Sequence, residues 1–303
     1  MLATLLPTER GRIVTLSDKA EHGKADFNHL YDRPDPRAYY RGLGELDYQI
    51  PHHAHPLFDA VRRAQQVATG SPGSVLDVCC SYGINAALLA CDLSLENVYR
   101  HYADPALADL EPERLAEADR RFYAEHRLPD APTVLGLDLA AEAIAYSREV
   151  GLLDDGWAQN LEESEPSQAL VDGVRDVSLI MVTGGVGYVT EHTFGRLLRA
   201  VPEGRAPWVA SFVLRVYPYD AIADTLSQHG LATERLTGAT FPQRRFASTE
   251  EQDAALQQLH ARGLDTRGLE DDGWYHCDFF LSRPHDNVER QPLDELLAAH
   301  RAH

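Results

Sequence analysis

The chain has 303 residues, 44% of them apolar, and its 47 acidic against 28 basic side chains give a net charge of −19. That length accommodates one large α/β domain with additions or two small ones. A surface this acidic repels a phosphate backbone, which argues against nucleic acid as a partner, and no apolar run approaches the roughly 20 residues needed to span a bilayer, so no membrane partner is expected either.

Residues 1–30 are polar and irregular. The opening MLATLLPTERGR has neither a basic n-region nor a long apolar core, so a cytoplasmic, unprocessed chain is expected. Residues 31–56 mix aromatics, prolines and charges, a composition that suits an ordered arm or lid, giving an N-terminal unit over 1–56. The stretch 57–68 carries Leu57, Val61 and Val67 at helical spacing. After the TGSPGS break, SVLDVCC is a short apolar run that reads as a buried strand, SYGI as a turn and NAALLACDL as a helix. Residues 96–132 are charged and helical in pattern and are expected to form an insert. TVLGLDL is a second strand, followed by a helix; DGWAQNL is a third strand and DVSLIMVTGG a fourth. A helix over 193–201, a fifth strand in APWVASFVLRV, a helix from Tyr219, and strands in ATERLTG and YHCDFFLSRP complete the order. A second helical insert falls at about 247–268, and 285–303 holds a short amphipathic helix with Leu293, Leu296 and Leu297. That tail has two partners open to it, its own domain or a second copy in a homodimer.

Alternating strands and helices predict a mostly parallel sheet covered on both faces, over about 57–284. The two consecutive strands at the end make the last one antiparallel. The four cysteines, Cys79, Cys80, Cys91 and Cys277, match neither a metal pair nor a disulfide framework and are expected to be reduced. His52, His53 and His55 lie between prolines without a nearby Cys or acidic ligand, so no metal is expected.

The segment VLDVCCSYG, Val75 to Gly83, resembles the cofactor loop of class I S-adenosylmethionine (SAM)-dependent methyltransferases, which usually reads VLDVGCGTG. It agrees at Val75, Leu76, Asp77, Val78, Cys80 and Gly83 and departs at Cys79 and Ser81, where the family prefers glycine. A tight strand-to-helix turn that brings backbone close to a ligand needs small residues, and Cys79 and Ser81 meet that need with φ negative, while Gly83 is free to take φ positive. The strand order likewise resembles that family's seven-stranded Rossmann-like sheet, with its last strand inserted antiparallel.

The resemblance implies roles for particular residues, with SAM as co-substrate. Asp77 holds the loop or the ligand's ammonium, and Asn85 touches the methionine carboxylate, which loop N–H groups also receive. Asp138, followed by Leu139, lies 61 residues after Asp77 at the tip of the second strand and accepts hydrogen bonds from both ribose hydroxyls. Asn160 or Gln159 pairs with the adenine edge, and Leu161 covers its face. Thr183, Gly184 and Gly185 end the fourth strand, where the glycines admit substrate and sulfonium close to the backbone. Tyr188 in the following loop is a candidate to orient the nucleophile or to contact the sulfonium through its ring, and Tyr40 and Tyr48 of the arm are candidates to close over the ligand with Tyr39. Methyl transfer from an activated sulfonium needs mainly alignment, which agrees with the absence of a catalytic dyad, a G-x-S-x-G elbow or a P-loop. The expected activity is methylation of a small molecule. Two alternatives stay open: a non-methylating SAM-consuming enzyme, such as a cyclase giving azetidine-2-carboxylate and methylthioadenosine, and a non-catalytic SAM-binding module.

Overall fold

A computed structural model of the chain describes residues 32–202 and 204–301. The part of the expected arm before residue 32 lies outside the described residues. Helices α1 (Arg37–Gly44) and α2 (Ile50–Thr69) precede β1 (Ser74–Val78). Next come α3 (Ile84–Ala90), α4 (Leu95–Tyr102), α5 (Pro105–Ala108), α6 (Pro112–His126), β2 (Val134–Asp138), α7 (Ala141–Glu149), β3 (Asp155–Ala158) and α8 (Gln168–Gly173). The second half runs β4 (Val177–Thr183), α9 (Glu191–Ala200), β5 (Trp208–Leu214), α10 (Asp220–Gln228), β6 (Leu231–Arg235), β7 (Phe241–Arg245) and α11 (Thr249–Ala261). It ends with β8 (Trp274–Pro284), α12 (His285–Arg290) and α13 (Leu293–Arg301).

The strands form one sheet in the order β3-β2-β1-β4-β5-β8-β6, with β7 also paired to β8. β1 to β5 run parallel, and β8 is antiparallel to β5, β6 and β7. The expected sheet, mostly parallel with an antiparallel last strand and helices on both faces, is therefore present. Side chains of β1 and β4 alternate between the faces: Val75, Leu179 and Met181 pack under α2, whereas Leu76, Ile180 and Val182 pack against α9 and α10. The chain passes outward from β1 to β3 and returns at β4, so the switch point lies between β1 and β4, and ligands bind beyond the carboxyl ends of strands at such points.

Three local departures from the sequence expectations, and the packing of the C-terminal helix, have physical causes. The sheet has eight strands, because the polar, proline-containing FPQRR lacks strand periodicity yet pairs with β8 as β7. The third strand stops at Ala158, and Gln159 to Leu161 turn off the sheet. Helix α2 starts at Ile50, seven residues early, so the three histidines lie on its first turns. Pro51 sits in the first turn, where its missing N–H is harmless, and burial of Ile50, Ala54, Leu57, Phe58 and Val61 offsets the bond lost at Pro56. Finally, Leu293, Leu296 and Leu297 of α13 bury in the same core as α2, so the tail docks on its own chain.

Candidate functional site

The loop between β1 and α3 carries left-handed residues at three alternate positions, Cys79 (φ 60°), Ser81 (φ 48°) and Gly83 (φ 74°). This overturns the expectation that Cys79 and Ser81 keep φ negative. The glycine-type backbone survives without the glycines, at a cost of about 1–3 kcal/mol per residue. Hydrogen bonds impose it: Cys79 N donates to Leu137 O (2.8 Å), Ser81 N to Asp138 Oδ2 (2.8 Å) and Gly83 N to Cys80 O (2.9 Å).

Beneath the loop, three of the expected residues meet. The Asn85 side-chain nitrogen donates to Asp77 Oδ1 and Oδ2 (3.2 and 3.3 Å) and to Thr183 Oγ1 (3.1 Å). Asn85 therefore ties the first turn of α3 to the tips of β1 and β4. Asp77 is fully buried, and that burial, reinforced by repulsion from Asp138, pushes its carboxyl up to about 7 against the opposing pull of Asn85.

Asp138 stands at the tip of β2. Its Oδ2 accepts Ser81 N, and its Oδ1 accepts Leu139 N (2.7 Å) and Ala140 N (3.0 Å). Burial still raises its carboxyl above the ordinary range, outweighing those three donors. A carboxylate offers about four lone-pair sites. With three filled by backbone, acceptance from both ribose hydroxyls at once would require a loop amide to let go. Leu139 itself is 47% exposed at the rim.

At the β3 tip, Leu161 is buried, and Asn160 uses its carboxamide oxygen on Glu162 N (2.9 Å). Gln159 is committed to Ser167, the N-cap of α8, through both ends of its amide (2.6 and 3.0 Å). At the β4 tip, Gly184 (φ 68°) and Gly185 prove to be packing glycines rather than open approaches. A Cβ on Gly185 would lie 2.8 Å from Cys79 Sγ, and one on Gly184 would lie 2.3 Å from Gln243 Nε2. Tyr188 follows in a loop, 37% exposed, its N bonded to Gly185 O (2.9 Å).

The arm tyrosines lie elsewhere. Tyr40 is buried and stacks on Tyr102 (4.2 Å between centroids), within a cluster centred on the buried Asp119. There Tyr146 Oη donates to Asp119 Oδ2 (2.6 Å), His101 Nε2 bonds Asp119 Oδ1 (2.6 Å), and Tyr102 Oη bonds both Tyr146 Oη (2.6 Å) and Tyr123 Oη (3.0 Å). Burial pushes the Tyr40 hydroxyl far up, which leaves it unfit as a proton acceptor near neutral pH. Tyr48 joins α1 to α2 and accepts Tyr99 Oη at its carbonyl (3.1 Å). Tyr40, Tyr48, Tyr99 and Tyr102 line a cavity of about 840 Å³ that none of Asp77, Ser81, Asp138 and Asn160 borders. Tyr39 packs on Tyr82 of the β1 loop, whose hydroxyl bonds both N and O of Arg33 (2.8 and 3.0 Å), and Asp32 Oδ1 accepts Glu142 N on α7. Residues 32–33 thus cross the carboxyl side of β1 and β2.

Among the described residues, six buried side-chain polar atoms have no hydrogen-bond partner: Ser81 Oγ in the β1 loop, Gln243 Oε1 on β7, and Tyr40 Oη, His55 Nδ1, Arg62 Nε and Glu270 Oε1. Gln243 has no counterpart in the sequence expectations, since its strand was not recognised. Among the described residues, no group of three or more His, Cys, Asp or Glu is arranged to hold a metal, and the four cysteines are free thiols.

The chain matches no family model and no curated protein sequence. Distant likenesses exist among solved structures. A TehB-like SAM-dependent methyltransferase from Corynebacterium glutamicum is 14% identical over 72% of this chain and 85% of its own, with a TM-score of 0.34. The plantazolicin methyltransferase BpumL, in complex with SAH, is 11% identical over 81% and 90%, with a TM-score of 0.39. A precorrin-6y C5,15-methyltransferase from Geobacter metallireducens is 9% identical over 74% and 86%, with a TM-score of 0.35. Likenesses this distant leave the weight on the residues at the strand ends.

Proposed function

We propose that this chain is a SAM-dependent methyltransferase acting on a small molecule. The observation that carries it is the convergence of Asp77, Asn85 and Thr183 beneath a left-handed β1 loop that Asp138 holds from the next strand. A buried, unpartnered Ser81 hydroxyl in that loop fits a site completed by a polar ligand. SAM, when bound, supplies an already activated methyl group.

The chain's own residues supply binding and alignment. Asp138 offers its remaining lone pair to a ribose hydroxyl, Leu161 offers an apolar face to the adenine, and Asn160 lies at its edge. The buried acids Asp77 and Asp138 make the crevice favourable for a cation. The cavity beside Tyr48 is the compartment assigned to the acceptor.

Mass spectrometry after incubation with SAM, alone and with a small-molecule extract, tests the activity. S-adenosylhomocysteine formed only with extract supports methyl transfer. Methylthioadenosine with a cyclic amino acid, formed from SAM alone, replaces it with the cyclase, and tight binding without product leaves a binding module. Asp138→Ala is expected to weaken SAM binding by about 1–3 kcal/mol in calorimetry; unchanged affinity removes Asp138 from the site.

A further inference from the structure

The cavity of about 840 Å³ is bounded by α1, α4, the connection into α2 and the first residue of β8, apart from the strand-end residues, and its size suits a small organic molecule. Its aromatic lining is Tyr40, Tyr48, Tyr99, Tyr102 and Trp274. Three of those rings have their hydroxyls engaged or buried elsewhere: Tyr99 Oη donates to Tyr48 O (3.1 Å), Tyr102 Oη bonds Tyr146 and Tyr123 (2.6 and 3.0 Å), and Tyr40 Oη is buried. What they leave for the cavity is ring carbon, whose π-faces are electron-rich.

Four acids and two arginines line the same space, and most are already committed. Arg37 gives Nε and Nη2 to Asp35 (3.0 Å each) and Nη1 to the carbonyls of Leu107 and Ala108 (2.9 and 2.8 Å). Asp47 is paired with Arg245 (2.6 Å) and Glu96 with Arg100 (2.5 Å). Among the described residues, those left without an ion pair are Glu45 and Asp104 against Arg41, an excess of carboxylate. The lining registers the same sign. Arg37 is raised chiefly by its bonds to Asp35 and further by Asp119 and Glu111. Burial chiefly raises the Tyr99 and Tyr102 hydroxyls, with Asp47 adding to it in the first and Asp119 among the further causes in the second. These acids favour positive over negative charge at the wall. One ring already carries a cation: Arg245 Cζ lies 4.5 Å from the Trp274 centroid while its Nε meets Asp47. Aromatic faces beside carboxylates are the surroundings that hold a protonated or alkylated amine.

We propose that this cavity, separate from the strand-end crevice, binds an organic cation, an amine or quaternary ammonium on an apolar body, with its charge between the ring walls and the carboxylates of Glu45 and Asp104. Binding does not depend on the SAM assignment. Its consequence for the reaction does: with the cavity as the acceptor compartment, the acceptor is an amine.

Calorimetry on the full chain, at about pH 8 and low salt, compares benzyltrimethylammonium with phenylacetate and benzyl alcohol, which keep the ring and carry negative or no charge. The ammonium is expected to bind about fivefold or more tighter than benzyl alcohol, and phenylacetate more weakly than either. Tyr99→Leu is expected to weaken the ammonium about fivefold or more. Glu45→Lys, a change at an exposed position, is expected to weaken it about threefold or more and to favour phenylacetate, with the difference shrinking as salt is added. Absence of ammonium binding, phenylacetate binding as tight as the ammonium, or wild-type ammonium affinity in both variants each overturns the proposal. Should Tyr99→Leu not fold, Glu45→Lys alone carries the comparison. S-adenosylhomocysteine is titrated in parallel. Its binding without that of the ammonium overturns this proposal and leaves the SAM reading, and the reverse outcome overturns the SAM reading alone. Displacement of either by the other makes the cavity part of the cofactor site and overturns the proposal.

Discussion

Two buried polar networks differ in where the fold places them. Around Asp119, helices α4, α6 and α7 are tied by hydroxyl, imidazole and carboxylate groups that find partners in one another. At the carboxyl ends of β1 and β4, Asp77, Asn85 and Thr183 are joined beneath the loop that carries Ser81. Hydrogen-bonded networks of this kind rigidify the elements that they join. Counting titratable groups alone would choose the Asp119 cluster as the active site, and open atoms do not decide, since Tyr40 Oη is unpartnered in that cluster as Ser81 Oγ is in the β1 loop; position decides, because only the second network lies at the carboxyl ends of β1 and β4, where ligands bind in open α/β sheets.

The comparison breaks first at Asp119. Asp119→Ala strands the Tyr146 hydroxyl and the His101 ring in the interior, and a stability loss of roughly 3–5 kcal/mol is expected in urea melts. SAM affinity of the folded fraction is expected to stay near wild type; a selective loss of SAM binding would make the cluster part of the site.

Asp77 sharpens it through pH. Its folded carboxyl is raised from 3.8 to about 7, so between those values the folded state binds more protons than the unfolded one. Stability therefore falls as pH rises through that window, by on the order of 2–4 kcal/mol, and the penalty is fully present above about pH 7. Thermal melts from about pH 5 to about pH 8 are expected to slope less in Asp77→Asn, with a remainder from Asp138, which is shifted in the same direction. Equal slopes would show that Asp77 does not titrate there.

The smallest effect is at Tyr40, whose buried hydroxyl makes no hydrogen bond of good geometry and interacts only weakly with Tyr123. Tyr40→Phe is expected to leave stability within about 1 kcal/mol of wild type, or to raise it, with turnover retained. A large loss of turnover at unchanged stability would return Tyr40 to the catalytic candidates.

Much of the fold is legible because it is local. The apolar runs of β1, β4 and β5 and the helical spacing between them report the sheet directly. Asp138 and Thr183 end their strands and Asp77 is the penultimate residue of β1, so their positions follow from strand boundaries alone. Gln243 escaped because FPQRR is polar and becomes a strand only through β8, and a bulge leaves no pattern in the chain that carries it. Tyr40 misled because an aromatic-rich arm reads the same whether its rings close over a ligand or pack among Tyr99 and Tyr102.

By itself, then, the sequence determined the order of elements, the parallel sheet and the acids at the strand tips, since period, length and turn residues act over a few positions. Tertiary structure alone decided that Cys79 and Ser81 take left-handed φ, because the bond that holds Ser81 comes from Asp138, 57 residues away. It also decided which lone pairs of Asp138 are spent and where the Gln243 carboxamide points. Those outcomes depend on which donors and acceptors meet across the sheet, and no local pattern encodes such meetings.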